Sequence, residues 1–569
     1  MVALLLFFTL NFTLFIPRYY FNKNNSSFFP ISELIEQKSL NVKKIINRFN
    51  DDIFRFNFEF SSVVLVLILV KDFIPLTWAM VLIGLVYLLT CILFFYHYSI
   101  LGIYKTYPCI ASDWKLIKQG VQIALNGYRL QFIVGLVFLI VFLVGLCYAN
   151  TLLINEIYVG NSFPLLLFCL IIVFVAFIFS VVKKTNPFVF KKEFDFNYLS
   201  FFAIQFSILL IQSNRFFCKK TKEELRSLPG IIANNTFTFS KNIPFKSKPN
   251  IYFIAIESYG AILHEDDYFK EKYNKLISDF NQNLQSKDWH ITSSFSNSPV
   301  SGGGSWMAYS SFLMGIKITS DLLYRKLFHE REKYKTQSIF TILEELGYAT
   351  TLIAAVGGYE NFTIEWEETL SFLGTKNVIK FKDLDYTGEK FNFGPSAPDQ
   401  YMLQKSRALI KEKYPNQPIS FFVETINSHA NFETPTHLFK NWEECNLANR
   451  NAFKPTTALE KNIKENYFLA IDYQLKTITD FVLSENEHSI FVIFGDHQPP
   501  LLTTTKNSFK SPIHIISKDK AFITDVKLER FNSTVEIHNN KQELGHEDFK
   551  FLFLDKFITY FQEKPTSSS

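Results

Sequence analysis

The sequence is poor in cysteine, with six in 569 residues. Two of the six lie outside long apolar runs, Cys218 and Cys445, and four lie in or beside such runs, Cys91, Cys109, Cys147 and Cys169. This scarcity excludes the disulfide framework that holds small secreted domains together. The chain is instead long enough for roughly two to four domains that bury their own cores.

A large excess of charge is also missing. The 58 Lys and Arg residues only slightly outnumber the 53 Asp and Glu residues, which leaves a net charge of +5. The basic residues are scattered and form no stripe, which argues against a nucleic-acid partner. No internal repeat or low-complexity segment stands out beyond the last three serines, so no repeat array is indicated.

Long apolar runs fill the first 213 residues. Three of them are close to the roughly 20 residues needed to cross a bilayer: residues 74–100, 130–149 and 163–182. Three shorter runs reach that length only with aromatic or polar flanks: residues 2–16, 56–70 and 198–212. No small-residue cleavage site follows the first of these. Residues 1–213 are therefore predicted to form a helical transmembrane domain of five or six spans.

The loops between these runs differ in Lys and Arg content. Residues 18–55 hold seven, residues 105–129 and 183–192 hold four each, and residues 150–162 hold none. The positive-inside rule with six spans places the basic loops in the cytoplasm and everything after residue 213 outside. Five spans with a cytoplasmic start give the same C-terminal side. Residues 214–249 are again basic, which predicts a linker against anionic headgroups.

After residue 249, short apolar strand patterns alternate with helix-period stretches. The predicted strands are residues 250–256, 349–356, 418–425, 489–494 and 512–517, and the predicted helices include residues 336–347, 397–414 and 465–486. Asp399 is placed to cap the second of these helices. The alternation predicts that residues 250–565 form an α/β domain with a mostly parallel sheet and flanking helices.

Three predicted strands end in side chains suited to metal or phosphate binding. Glu257 follows the first strand, His429 follows the third, and Asp496 and His497 follow the fourth. A single acid at such a place is usually a helix cap or a surface group. Several together are typical of a ligand site, because ligands collect at the carboxyl ends of strands in α/β sheets.

A fourth segment, "SGGGSWMAY", leads three glycines directly into Ser305 and a helix-period stretch that ends at Gly315. Backbone without side chains allows an anion to come close, and the N-terminus of a helix supplies free N–H groups. Ser305 would then stand beside a bound phosphoryl group. The alternative is a flexible turn in which Ser305 is an ordinary N-cap.

These motifs, in the order "IAIESYG", "GGGS", "INSHANF" and "IFGDHQPP", resemble the sulfatase-like branch of the alkaline phosphatase superfamily. The closest resemblance is to membrane-anchored, bacterial lipoteichoic-acid-synthase-like phosphoglycerol transferases and phosphoethanolamine transferases. The segments "FNFGPSAPDQYML" and "LGHEDFKFLFLDKF" add to it. The resemblance covers residues 250–560 and fits the apolar N-terminal region.

The resemblance implies a single divalent metal ion held by Glu257, Ser305, Asp496 and His497, with Ser305 also the nucleophile. Mn²⁺ and Zn²⁺ both suit these ligands, and Mg²⁺ is compatible. His429 would bind the phosphoryl group or protonate the leaving oxygen.

The chain also departs from the pattern of these relatives. Many of the synthase-like chains have Thr where this one has Ser305. The region after the second strand offers Trp366 as a substrate contact but lacks the His and Arg that hold glycerol phosphate, so the donor stays open.

Other reactions of the superfamily fit the sequence less well. A sulfatase needs Pro and Arg two and four residues after its modified Cys or Ser, where this chain has Met307 and Tyr309. A two-metal phosphomonoesterase needs further ligands, yet Asp472 is followed four residues later by Lys476 rather than His. His514 and His546 are expected to be structural.

The sequence thus predicts a multi-pass enzyme of the bacterial cytoplasmic membrane with an extracytoplasmic catalytic domain. It would transfer a phospholipid headgroup to an envelope glycan or lipid. A phosphodiesterase or sulfatase-like hydrolase, a transporter and a non-catalytic envelope-binding protein are the alternatives. The clear spans carry no ionisable group except His97, which disfavours transport, and a pseudoenzyme would have lost a ligand.

Overall fold

The structure is a computed structural model in which the chain forms two compact units, Met1–Lys220 and Thr221–Ser569. It describes residues 1–22, 55–104, 106–114, 129–182, 204–205, 207–240, 243–334, 336–357, 366–391, 396–430, 432, 434–435, 437–447, 462–500, 502–503, 509–527, 530–531 and 544–563.

The described part of the first unit is almost entirely helical. Its helices are α1 (Val2–Leu14), α2 (Ile16–Asn22), α3 (Phe58–Val70), α4 (Leu76–Tyr104), α5 (Arg129–Val159), α6 (Phe163–Val182) and α7 (Ser207–Ala233), the last of which continues past residue 220. Two short strands, β1 (Phe56–Asn57) and β2 (Ile204–Gln205), pair in parallel.

Two helices are long and apolar enough to cross a membrane by length and composition: α4, and residues Phe132–Val159 within α5. Apolar stretches in α1 and α6 are shorter. Large side chains project from α5, where Phe138, Val141 and Val144 are 72%, 64% and 63% exposed. A helix that is apolar all round is normally buried in protein or in lipid. The exposed surface of α5 therefore suits contact with lipid, while the count of five or six spans stays a prediction.

Two hydrogen bonds join neighbouring turns at one end of the first unit. The Lys71 Nζ atom donates to the Ile157 carbonyl (3.0 Å), and the Tyr158 hydroxyl donates to the Ile74 carbonyl (2.7 Å). The turn between α3 and α4 therefore lies beside the turn between α5 and α6. Because α3 and α4 both start or finish at this turn, Phe58 and Tyr104 lie toward the opposite end.

The start of α7 lies at that opposite end. Its first N–H groups, at Ser207 and Ile208, donate to the Glu59 carboxylate (2.7 and 2.8 Å). Further along α7, the Asn214 side chain donates to the Pro108 carbonyl (3.1 Å). The sixth predicted span, residues 198–212, is therefore not a single helix in its described part, since β2 and a helix start fall inside it.

A disulfide joins Cys109 to Cys218, with the two Cα atoms 5.0 Å apart. Cys109 belongs to the loop of residues 105–129, and Cys218 lies in α7. The charge count placed this loop in the cytoplasm and residue 214 onward outside, which is wrong because one disulfide cannot bridge two sides of a bilayer. The error came from counting residues 198–212 as a span in the six-span arrangement. The sequence also gave no indication of this pairing.

The second unit is a mixed α/β domain with an eight-stranded sheet in the order β10-β4-β9-β8-β3-β7-β5-β6. Its strands are β3 (Asn250–Ile256), β4 (His290–Asn297), β5 (Ala349–Ala354), β6 (Asn377–Lys380), β7 (Ile419–Glu424), β8 (Ser489–Gly495), β9 (Lys510–Ser517) and β10 (Leu544–Gly545). Only β9 runs antiparallel to its neighbours. The five predicted strands are all present, whereas β4, β6 and β10 were not predicted.

Helices cover both faces of this sheet. They are α8 (Ile262–Glu265), α9 (Asp267–Gln285), α10 (Ser305–Met314), α11 (Asp321–His329), α12 (Arg331–Tyr334), α13 (Ile339–Glu345), α14 (Trp366–Leu373), α15 (Asp399–Lys413), α16 (Ile463–Leu483), α17 (Lys520–Lys527) and α18 (Phe549–Phe561).

Alternate residues of the central strand β3 enter two separate cores. Tyr252, Ile254 and Ile256 pack with α9, α15 and α16. Ile251 and Phe253 pack with α10, α13 and α18 on the other face. A strand buried on both faces loses the apolar–polar alternation of a half-exposed strand. This explains why β3 reads as the continuous apolar run "NIYFIAI".

The described residues between α7 and β3 belong to the second unit and pack against its helices. The Phe237 N–H donates to Gln337 Oε1 (3.0 Å), and the Lys248 Nζ atom donates to the Leu346 carbonyl (2.7 Å). The sequence predicted a linker over residues 214–249. In the structure, α7 extends to Ala233 and the rest of the described stretch is bonded to the sheet domain.

Asp399 does not cap α15 as predicted. Pro398 occupies the N-cap position, and Asp399 is the first residue of the helix. Its buried carboxylate accepts hydrogen bonds from the N–H groups of Ile426 (3.0 Å) and Asn427 (2.8 Å). Asp399 therefore fixes the loop that follows β7, which is the loop that carries His429.

Candidate active site at the carboxyl edge of the sheet

Three predicted site residues meet where two central strands end. β3 and β8 are parallel neighbours, and Ile256 pairs with Gly495 at their last positions. Glu257, Asp496 and His497 follow directly, and one ligand atom from each lies within 4.8 Å of the others. Their exposed fractions are 4%, 0% and 1%, so the cluster is buried. The mostly parallel sheet predicted from the sequence accounts for this meeting, because the carboxyl ends of parallel strands lie at one edge.

The glycine segment brings Ser305 to the same cluster. Gly302, Gly303 and Gly304 have φ values of +77°, +144° and +87°, which side chains other than glycine rarely adopt. Ser305 begins α10 and is half-buried. Its hydroxyl donates to Glu257 Oε2 (3.0 Å) and lies 3.2 Å from His497 Nε2.

The N-cap alternative for Ser305 is therefore wrong. Gly304 occupies the N-cap position of α10, and no side chain caps the helix there. The Ser305 hydroxyl instead points into the cluster of acid and imidazole groups. A hydroxyl held in this way is free of the helix backbone and available for chemistry.

Backbone contacts orient Asp496 and His497. The His497 Nδ1–H donates to the Gln498 carbonyl (2.8 Å), which leaves Nε2 directed at Ser305. Asp496 Oδ1 accepts from the N–H of Ser258 (2.8 Å) and of His497 (2.6 Å). Asp496 Oδ2 is buried, lies 3.2 Å from His497 Nε2 and has no hydrogen-bond partner among the described residues.

The two buried acids of the cluster differ in their electrostatics. Burial, followed by the charge of Glu257, raises the pKa of Asp496 well above its ordinary value. Burial also acts to raise the pKa of Glu257, but His497, His429 and hydrogen bonds from two serines hold it below its ordinary value. Two adjacent buried carboxylates both stay ionised only if a positive charge lies beside them.

The donor set fits a divalent cation. Two carboxylates, an imidazole nitrogen and a hydroxyl oxygen are ligands that Mn²⁺ and Zn²⁺ accept. The unpartnered Asp496 Oδ2 is an acceptor with no proton donor in the described structure. The backbone hydrogen bond at His497 Nδ1 fixes the ring as in metal sites, where the second nitrogen is usually bonded.

His429 lies in a loop tied to the same edge of the sheet. The Ser428 hydroxyl donates to the Glu257 carbonyl (2.6 Å), and the Thr425 N–H donates to the Ala255 carbonyl (2.9 Å). His429 is half-buried, and its charge helps to lower the pKa of Glu257, so it lies near this acid, while its role stays a prediction.

A further acid, Glu424, lies near this cluster and was not predicted from the sequence. It ends β7 and is paired in register with Ala255, two residues before Glu257. Burial first, and then the charges of Glu257 and Asp496, raise its pKa well above the ordinary value. The signal was present in the sequence, because an acid at the end of a predicted strand is the feature that identified Glu257.

Three residues named from the sequence remain, and two of them, His514 and His546, are not part of the cluster. Trp366 begins α14, and its side chain lies outside the described residues, so its role stays a prediction. His514 is buried in β9 between the Ser293 hydroxyl (2.7 Å) and the Tyr259 hydroxyl (3.0 Å). His546 is buried, hydrogen-bonded to Ser296 and packed edge-on against Phe312.

The sulfatase family model matches residues 281–543 of this chain. The match to this family covers less than half of the chain and lies within the α/β unit. The matched range contains Ser305, His429, Asp496 and His497, while Glu257 lies upstream of it. The family resemblance predicted from the motifs is thus confirmed.

Three similar solved structures are a synthase, a periplasmic domain and a transferase. The lipoteichoic acid synthase LtaP of Listeria monocytogenes is 14% identical, with 55% of this chain and 74% of that chain covered and a TM-score of 0.34. The zinc complex of the C-terminal periplasmic domain of EptC from Escherichia coli is 13% identical (55% and 84%, TM-score 0.37). The phosphoglycerol transferase GacH of Streptococcus pyogenes, in complex with sn-glycerol-1-phosphate, is 14% identical (62% and 88%, TM-score 0.34). Among curated proteins, no significant match is found.

Proposed function

We propose that this protein is a membrane-anchored phosphotransferase of the sulfatase family. It transfers a phospholipid-derived headgroup, phosphoglycerol or phosphoethanolamine, to a hydroxyl of an envelope glycan or lipid. The observation that carries the proposal is the Ser305 hydroxyl, half-buried at a helix start and hydrogen-bonded to Glu257 (3.0 Å). Met307 and Tyr309 stand where a sulfatase needs Pro and Arg, which favours a phosphodiester over a sulfate ester.

In the first step, Ser305 Oγ attacks phosphorus and the bond from phosphorus to the diacylglycerol oxygen breaks. The hydroxyl proton is directed at Glu257 Oε2, the acceptor of its hydrogen bond. His429 protonates the departing diacylglycerol oxygen. The headgroup phosphate is then esterified to Ser305, as expected for covalent catalysis by an activated hydroxyl.

In the second step, the acceptor hydroxyl attacks the same phosphorus and the bond to Ser305 Oγ breaks. His429, left neutral by the first step, takes the proton of the acceptor hydroxyl, and Glu257 returns its proton to Ser305 Oγ, so both groups recover their starting protonation. Water in place of the acceptor would give hydrolysis.

The residues proposed to hold the metal are Glu257, Asp496 and His497 together with the Ser305 oxygen. The ion would be Mn²⁺ or Zn²⁺, with Mg²⁺ also compatible, and when bound it would lower the pKa of the Ser305 hydroxyl. The N-terminal N–H groups of α10, exposed by the glycines before it, are suited to phosphoryl oxygens. Trp366 is retained as a proposed donor contact.

We place the catalytic domain outside the cytoplasm of a bacterial cell, anchored in the cytoplasmic membrane. The Cys109–Cys218 disulfide supports this location, because disulfides persist in oxidising compartments. Five spans that leave out residues 198–212, with a cytoplasmic start, would put this disulfide and the catalytic domain on the outer side. The exposed apolar side chains of α4 and α5 support the membrane anchor.

The experiment uses the full-length protein in membranes of the source cell with headgroup-labelled phosphatidylglycerol or phosphatidylethanolamine. The proposal predicts release of diacylglycerol and transfer of label from one lipid to an envelope product. Ser305→Ala, the matched control, is expected to transfer none. Failure to cleave either lipid, or equal cleavage by wild type and Ser305→Ala, would contradict the proposal. If the label is found only as water-soluble headgroup phosphate, the protein is a phosphodiesterase and not a transferase.

A further inference from the structure

Gln498 is a fully buried residue directly after Asp496 and His497. Its backbone carbonyl accepts two hydrogen bonds, from His497 Nδ1–H (2.8 Å) and from the Gly302 N–H (3.1 Å). A carbonyl oxygen has two lone pairs, so both bonds can form at once. One oxygen therefore joins the imidazole of His497 to the glycine segment that leads to Ser305.

The side chain of Gln498 reaches a third segment, the loop after Glu257. Gln498 Oε1 accepts a hydrogen bond from the Ile262 N–H (3.1 Å), at the start of α8. The same loop is held at Gly260, whose N–H donates to the Tyr467 hydroxyl (3.4 Å). Gln498 therefore links the loop after Glu257 to the residues that follow β8.

Gly260 lies directly against Gln498. A Cβ atom added at Gly260 would be 2.8 Å from the Cα atom of Gln498 and would also overlap Oε1 of the same residue. Cβ atoms do not approach backbone atoms this closely, so the loop and Gln498 could not both keep their positions. The missing side chain at Gly260 is therefore what allows the loop to approach.

Pro499 limits the backbone of Gln498. A residue that precedes proline is disfavoured in the helical conformation and is pushed toward extended ones. Pro499 therefore narrows the directions that the Gln498 carbonyl can take, and this carbonyl is the group that holds His497 and Gly302.

The three segments that Gln498 joins carry all the proposed metal ligands. Glu257 begins the first, Asp496 and His497 belong to the second, and Ser305 ends the third. The Ser305 hydroxyl lies 3.2 Å from His497 Nε2, and this separation depends on where the imidazole and the glycine segment lie relative to each other. Backbone carbonyls commonly fix a metal-binding histidine through its second nitrogen.

We propose that Gln498 is a positioning residue, which holds the His497 imidazole and the glycine segment in the arrangement that metal binding and attack by Ser305 require. This rests on the metal centre of the proposed function. Gln498 acts through His497 and Ser305 and contacts neither the metal ion nor the phospholipid. Loss of its bonds should therefore lower both the metal affinity and kcat.

The test measures metal affinity and turnover separately. The full-length protein in detergent is stripped with a chelator and titrated with Mn²⁺, and electron paramagnetic resonance reports the free ion. Gln498→Met keeps the length of the side chain but removes the oxygen that accepts from Ile262. It is expected to weaken Mn²⁺ binding by about tenfold and to lower kcat for headgroup release by about tenfold or more. KM should change little, because Gln498 is fully buried.

Gly260→Ala perturbs Gln498 without changing it. The added methyl group should displace Gln498 and reproduce both losses. The double variant Gly260→Ala/Gln498→Met should lose no more than the larger single loss, because both changes act on one contact. The matched controls are Gln404→Met, which removes a buried hydrogen bond to Ser484 (2.9 Å), and Gly230→Ala, where the added Cβ meets no atom within 4 Å. Both controls should keep the wild-type Mn²⁺ affinity and kcat.

Thermal unfolding shows whether each variant is folded. Mn²⁺ affinity within about twofold of wild type and an unchanged kcat in folded Gln498→Met would overturn the proposal and make Gln498 a purely structural residue. Gly260→Ala decides in the same way if Gln498→Met does not fold. If Gln498→Met weakens Mn²⁺ binding while the wild type cleaves neither lipid, the proposed function fails and the role of Gln498 in the metal centre stands.

Discussion

Ser305 Oγ donates a hydrogen bond of 3.0 Å to Glu257 Oε2, and this bond links the start of α10 to the end of β3. Ser305→Ala removes the hydroxyl and is expected to abolish turnover. Folding should be preserved, because Ser305 does not cap α10 and a lost hydrogen bond costs only about 1 kcal/mol. Headgroup transfer and thermal unfolding of the purified variant are the measurements.

Two further variants sharpen this prediction. Ser305→Thr keeps the attacking oxygen and should retain partial activity, in line with the Thr found in many resembling enzymes. Ser310→Ala changes a buried serine of the same helix and should leave transfer at the wild-type level. Wild-type transfer by Ser305→Ala would show that Ser305 is not the nucleophile.

The metal centre is predicted to depend on Asp496 and His497. Asp496→Asn and His497→Ala should each remove most of the bound divalent ion, because each deletes a ligand from a buried cluster. The domain should stay folded, and elemental analysis of the purified variants measures the ion. Asp472→Asn, which alters an acid paired with Lys476 on its own helix, is the control. Unchanged metal content in both Asp496→Asn and His497→Ala would show that neither residue holds the metal ion.

The positions of Glu257, Asp496 and His497 could be predicted because each follows an apolar strand in a parallel sheet. β4 could not, since "HITSSFSN" is mostly polar. Its Thr292 and Ser293 are nevertheless buried, and the strand is held by an eight-residue antiparallel ladder with β9. Strand character that comes from pairing with a distant partner leaves no local pattern.

Two further features could not be predicted from the sequence, because they depend on contacts between residues far apart in the chain. Asp399 had the local features of a helix cap, yet its carboxylate bonds to a loop 27 and 28 residues away. The Cys109–Cys218 pair is separated by 109 residues, and the loop charges suggested opposite sides of the membrane. No local sequence pattern encodes either relationship.

The Cys109–Cys218 disulfide gives a prediction about sidedness. In intact cells, Cys109→Ser should leave Cys218 open to a membrane-impermeant maleimide, whereas wild type should react there only after reduction. Cys109→Ser/Cys218→Ser supplies the background from the other cysteines. Labelling of Cys218 in the single variant only after the cells are permeabilised would place this end of the bundle in the cytoplasm.

Buried His514 predicts a loss of stability in acid. Burial, with a smaller contribution from His264, lowers the pKa of His514 from 6.5 to about 3. Between these two pH values, His514 binds a proton in the unfolded chain but not in the folded one. The free energy of unfolding therefore decreases as the pH falls below 6.5, by about 1.4 kcal/mol per pH unit. The stability is fully present above that range.

The measurement is thermal unfolding of the full-length protein at about pH 7.5 and at about pH 5. These two values lie about one unit or more above and below 6.5, the ordinary pKa of the histidine. His514→Asn can still bond to Ser293 and Tyr259 but cannot take up the proton. It should lose less stability than wild type on acidification. An equal loss in both proteins would assign the acid sensitivity to other groups.

Trapping the covalent intermediate tests the central claim most directly. Wild-type protein is quenched in acid during turnover with labelled phospholipid, digested and analysed by mass spectrometry. We expect the headgroup phosphate on the peptide that contains "GGGSWMAY", at Ser305 and not at Ser301 or Ser310. Headgroup phosphate on another residue, or none on a protein that is turning over, would contradict the nucleophilic role of Ser305.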